Sequence, residues 1–97
     1  MEVLVIARRR VEAFAEEEFA ALLEPEAEAV RRLYARGFVR ACWSREDVLG
    51  ACLLFEVESV ERARELFEEA PLVARGMVEA QFVPLRGYRG FGPRVSS

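Results

Sequence analysis

Residues 38 to 57 read FVRACWSREDVLGACLLFEV, and their pattern decides the fold. Two apolar-rich runs flank the polar break Ser44-Arg45-Glu46-Asp47, and Gly50 opens the second run, which is the signature of a β-hairpin. From Ala51 to Val57 the second run is apolar at both alternating sets of positions except at Glu56. A strand of that composition is buried on both faces and belongs in the middle of a sheet. The first run is mixed. Val39, Ala41 and Trp43 share one face, and Phe38, Arg40, Cys42 and Ser44 share the other, which suits an edge strand. By this parity Trp43 faces the helices as a core residue, and Arg40 shares a face with Glu56.

The flanking chain completes the pattern. Glu2 to Arg8 (EVLVIAR) is a first strand, again apolar on both faces, and Arg8-Arg9-Arg10 ends it; such a run can bind an anion, but a solvated strand end is the favoured reading. Ala13 to Arg36 is helical, with Phe19, Leu22, Leu23, Val30, Leu33 and Tyr34 recurring at three- and four-residue spacing. Pro25 removes a backbone hydrogen bond, so a kink or a break into two helices is expected near Glu24. Gly37 stops the helix. Ser59 caps a second helix whose buried stripe is Val60, Ala63, Leu66 and Phe67, and Pro71 ends it. Met77 to Val83 alternates as a second edge strand.

The order strand, helix, strand, strand, helix, strand predicts an α+β, ferredoxin-like βαββαβ domain over residues 1–83. Its sheet is four-stranded and antiparallel, with both helices on one face and the first and third strands central. The helices cover one face of those two-sided strands, and a second copy of the chain is expected to cover the other. Residues 84–97 (PLRGYRGFGPRVSS) form an arm whose Tyr88 and Phe91 are expected to pack on a neighbouring subunit.

Composition excludes several chemistries. With 97 residues there is room for one domain with a small core, to which association adds burial. The formal net charge of -3 gives no general attraction to nucleic acid or anionic membranes. No apolar run is long enough to span a bilayer, and the basic residues follow the first apolar stretch, the reverse of a secretion signal. A cytoplasmic protein is expected. All 14 basic residues are Arg, and the chain lacks Lys, His, Asn and Thr. That usage is read as the mark of a GC-rich, thermophilic source, which a melting temperature in the mesophile range would refute. Without His there is no His-ligated haem, His-bearing zinc site or Ser-His-Asp triad, and without Lys no Schiff base. No metal and no cofactor is expected. If the hairpin is centred on Asp47, Cys42 and Cys52 face each other across the strands, within roughly 4.5–5.5 Å between Cα atoms. Two small buried thiols in a reducing compartment is the favoured reading over a disulfide.

The segments LYARGFVRACW, FEVESVERARELFEEAPL and VEAQFVPL resemble the muconolactone delta-isomerase family, over about the C-terminal two-thirds of the chain. The resemblance implies sheets that pair as dimeric α/β barrels, with dimers assembled in some members into decamers. It also implies a cofactor-independent proton transfer that shifts a double bond in an unsaturated lactone of aromatic catabolism. Carried over by position, Arg40 holds the carboxylate of a small acidic metabolite, Glu79 is the base and Trp43 a wall. The turn Glu46-Asp47-Val48-Leu49 differs from the histidine-bearing turn of the isomerases. Tyr34 and Glu56 join the candidate list, Tyr34 because its hydroxyl can reach a pocket mouth. Glu56 is the closer partner of Arg40, either as ligand site or as an ion pair in a dimer interface. Arg40 and Glu79 lie on opposite edge strands, roughly 14 Å apart at about 4.8 Å per strand, so a partner's sheet has to close the gap. Two other functions fit the same barrel: a non-catalytic small-molecule-binding or assembly module, and a cofactor-free monooxygenase.

Overall fold

The computed structural model describes residues 1–92. Strand β1 (Glu2–Arg9) is followed by a short helix α1 (Glu16–Ala20), the long helix α2 (Leu23–Ala35) and the hairpin β2 (Val39–Ser44) and β3 (Gly50–Glu56). Helix α3 (Val60–Phe67), a single turn α4 (Pro71–Ala74) and strand β4 (Val78–Leu85) complete the domain. The sheet order is β2-β3-β1-β4 with every pair antiparallel. This is the ferredoxin-like arrangement, and the two strands with two-sided apolar patterns are the central ones. Strand β4 runs two residues beyond the boundary expected at 83. Beyond it, Tyr88 and Phe91 are exposed, and residues 93–97 of the expected arm lie outside the described residues.

Helices α2 and α3 cover one face. Val3 and Val5 of β1 and Leu53 and Phe55 of β3 pack there with Leu33, Ala63, Leu66 and Phe67. Because strand residues alternate, Leu4, Ile6, Cys52 and Leu54 point the other way and are only partly buried. No described helix is long and apolar enough to cross a membrane.

The helix ends follow the sequence signals. Ser59 Oγ accepts the Arg62 N–H at 3.1 Å. Gly37 (φ 87°) and Gly76 (φ 70°) close α2 and α4 in the left-handed region that glycine enters without a Cβ penalty. In each case the next two amides return to the helix: Gly37 and Phe38 to Tyr34 and Leu33, Gly76 and Met77 to Val73 and Leu72. The break between α1 and α2 falls at Ala21–Leu22, upstream of the expected Glu24. Pro25 therefore sits in the first turn of α2, where its missing N–H is one that a helix leaves unpaired anyway.

One register feature corrects the sequence reading. Val39 pairs with Phe55, but Ala41 pairs with Leu54, so Arg40 is an extra residue, a β-bulge in β2. Everything after it changes face. Trp43, expected against the helices, pairs with Cys52 on the open face and is 53% exposed. Cys42 and Ser44 turn instead to the helix side. The same shift separates the cysteines: Cys42 pairs with Leu53 and Cys52 with Trp43, which puts the two thiols on opposite faces, free, with Cys42 exposed.

Candidate functional site

The sequence-predicted residues separate into two places. Arg40 and Glu56 meet at 3.6 Å, with side chains 60% and 41% exposed, and Glu56 also takes the amino terminus at 3.1 Å. Tyr34, largely exposed on α2, lines a shallow groove of about 240 Å³ with Arg40, Val30 and Ala41. Glu79 is elsewhere. It lies across β1 from that edge and toward the other end of the strands, its carboxylate held by Arg8 Nε at 3.1 Å. Three strand spacings and four to five residue rises of about 3.3 Å put Arg40 and Glu79 roughly 20 Å apart, more than the sheet-width distance alone. Within one chain they do not share a small ligand. Trp43 belongs to neither place but to the uncovered sheet face.

A deeper concavity lies on the helix side. Between α2, α4 and the sheet is a cavity of about 390 Å³. Its floor is the sheet, where Ala7 and Ala51 are short side chains, and its roof is Leu23, Ala27 and Val30 of α2. The three alanines leave the gap that larger residues would fill. Glu26 and Arg31 from α2 and Arg8 and Arg9 from the end of β1 line it, with Cys42 and Ser44 at the β2 side.

Glu26 is half-buried, and burial pushes its carboxyl pKa up. The Leu72 N–H, donated to Oε1 at 2.8 Å, and the nearby charge of Arg9 pull the other way without cancelling it. The contact with Leu72 also ties α2 to the first turn of α4. Desolvation, and to a lesser extent the neighbouring Cys52, push the Cys42 thiol pKa up. Among the described residues no group of three His, Cys, Asp or Glu side chains is placed to hold a metal ion. The arrangement offers a carboxyl with a raised pKa in a largely apolar space, with arginines at its border.

Sequence reading passed over Glu26 because it is one of many glutamates. The signal was its spacing: Glu26, Val30 and Leu33 stand at i, i+4 and i+7, which places a carboxyl on the buried stripe. Arg9 belongs to the three-arginine run, for which the sequence favours a solvated strand end over anion binding.

No family model and no curated protein matches this sequence. Among solved structures, the chain is similar to 5-chloro-2-hydroxyhydroquinone dehydrochlorinase (TftG) from Burkholderia phenoliruptrix AC1100, in complex with 2,5-dihydroxybenzoquinone. The TM-score is 0.72 over 92% of this chain and 97% of that one, at 14% sequence identity. What they share is the fold.

Proposed function

We propose that this chain processes a small molecule by cofactor-independent proton transfer, as an isomerase or lyase, in the cavity beneath α2. The observation that carries the reading is Glu26: a half-buried carboxyl with a raised pKa, lining a cavity whose floor and roof are Ala7, Ala51, Leu23, Ala27 and Val30. General acid–base groups work best when their pKa lies near the ambient pH, and burial moves the Glu26 carboxyl in that direction. The structural neighbour is named as a dehydrochlorinase and was solved with a six-membered cyclic ligand, which supports a cyclic substrate here. The resemblance to the muconolactone isomerases supports the narrower reading, migration of a double bond in an unsaturated lactone. In that chemistry one residue removes a proton from carbon and returns it to another carbon, a role Glu26 fills here in place of Glu79.

The functional unit in this reading is a homodimer or higher assembly in the cytoplasm, with a second copy over Leu4, Ile6, Leu54 and Trp43. Arg40 and Glu56 then lie near the seam as an ion pair, and the arm from residue 84 extends onto a neighbour.

The test is exchange of carbon-bound hydrogen for deuterium, followed by NMR on muconolactone and related unsaturated lactones. Glu26→Gln is expected to slow exchange by about 10²–10⁴-fold, the usual contribution of a positioned acid–base group, while Glu79→Gln leaves it unchanged. The reverse result moves the chemistry to the sheet edge. A second reading, binding without turnover, is favoured by the Leu72 N–H bond to Glu26, which gives that carboxyl a structural task as a helix cap. Affinity for such ligands with no exchange in the wild type selects it.

A further inference from the structure

The three arginines that end β1 have different surroundings. Arg8 faces the open side and is paired with Glu12 and Glu79, each at 3.1 Å. Arg10 lies 3.8 Å from Glu12 and donates to the Gly76 carbonyl at 2.9 Å. Arg9, between them, lies on the helix side at the border of this cavity and the adjoining groove lined by Phe14 and Phe19, and among the described residues no carboxylate forms a salt bridge with it. Its guanidinium rests over the Phe19 ring, 5.8 Å from the centroid, which fixes the side chain without neutralising it. Arg31, the other arginine whose side chain borders the cavity from α2, is already paired with Glu24 and Glu28.

The shape of the space narrows what such a cation can meet. At about 390 Å³ it is near the lower end of ligand-site volumes, suited to a single ring. It lies between two layers, the pleated floor at Ala7 and Ala51 and the α2 residues Ala27 and Val30, a setting that suits a flat ring. A half-buried guanidinium that makes no salt bridge, with only the Glu26 carboxyl, itself hydrogen-bonded to the Leu72 N–H, acting on it from nearby, favours an anionic edge on that molecule, through charge-assisted hydrogen bonds. We infer that the cavity selects a small planar monoanion, its charge on one edge of a single ring, and that Arg9 is the anchor for that charge. The inference rests on the reading of this cavity as the ligand site. It names the class of ligand and a residue that binds it.

Benzoate and its neutral isostere benzamide are the probes, titrated into the full-length protein by isothermal calorimetry at equal pH and ionic strength. Benzoate is expected to bind at least about ten-fold more tightly, as one hydrogen-bonded charge contact contributes. Arg9→Gln removes the preference and leaves benzamide affinity unchanged, and Arg9→Lys keeps part of it. Equal binding of the two probes, no binding of either, or a preference that survives Arg9→Gln overturns the inference. Should Arg9→Gln not fold, amide shifts of the wild-type protein decide. Benzoate-induced shifts confined to Arg9, Ala27 and Ser44 support the site, and shifts centred on Arg40 and Glu56 overturn it. The catalytic reading fails separately. If Glu26→Gln leaves deuterium exchange intact while the Arg9-dependent preference persists, the cavity binds anions but does not use Glu26 for chemistry.

Discussion

On the helix-covered face Val3, Val5, Leu53 and Phe55 are at most 1% exposed, whereas on the opposite face their chain neighbours Leu4, Ile6, Cys52 and Leu54 remain partly accessible and Trp43 is 53% exposed. Both sets belong to the same strands, and the residue types are similar. The difference is what lies above them. The covered face has residues from α2 and α3 interlocked with it, and the aromatic rings of Phe55, Phe67 and Phe82 meet edge to face with centroids 6.2 and 5.9 Å apart. The open face presents Leu4, Ile6, Leu54 and Trp43 to water, flanked by Arg8, Glu56, Glu79 and Gln81, and an exposed apolar patch with a polar rim marks an interaction surface. The first face is therefore where folding energy is concentrated, and the second is where association energy is available.

That contrast can be broken in four ways. Phe55→Ala is expected to cost about 3–5 kcal/mol in urea unfolding, because it empties a buried aromatic site, and a loss under about 1 kcal/mol would show that this face is not the core. On the open face, Ile6→Arg is expected to raise the dimer dissociation constant by about a hundred-fold, as burying an unpaired charge at an interface centre does. Sedimentation velocity reads it, and a wild-type protein that is monomeric at micromolar concentration would refute the two-face distinction itself.

The third is a pH series. The folded chain holds the Glu26 proton to a higher pH than the unfolded chain does, since burial raises its folded-state pKa. In the interval between the two values the native state binds more protons, so stability falls as pH rises through it. Glu26→Gln is expected to flatten that fall in denaturant titrations, and an unchanged slope would show that another group sets it. The smallest effect is expected at Arg40. Its ion pair with Glu56 is exposed at both ends, so Arg40→Ala should change stability by less than about 0.5 kcal/mol. A larger loss in the assembled protein would place the pair inside an interface.

How far the sequence was legible follows from the range of the forces involved. The two-sided runs EVLVIAR and ACLLFEV determine which strands are central, because a strand carries its burial requirement in its own composition. Helix ends at Gly37 and Ser59 are equally local. The bulge at Arg40 is not. It is a relation between two strands, and one extra residue reversed the predicted faces of Cys42, Trp43 and Ser44. The cavity was hidden for a similar reason: Ala7, Ala27 and Ala51 look like ordinary small core residues until the fold places them opposite one another. Glu26 alone carried a readable sign, its place on the apolar stripe of α2.

The bulge at Arg40 also bears on colloidal behaviour. An edge strand with an unbroken row of free amides and carbonyls is a template onto which further chains can add as strands. Strand β2 loses that continuity at its bulge and carries a charge there, and β4, the opposite edge, carries Pro84, which has no amide to offer. Each margin of the sheet is thus poorly suited to growth in the hydrogen-bonding direction. A chain with a sticky face and blunted margins can stack into a closed assembly while resisting the open-ended polymerisation that leads to fibrils.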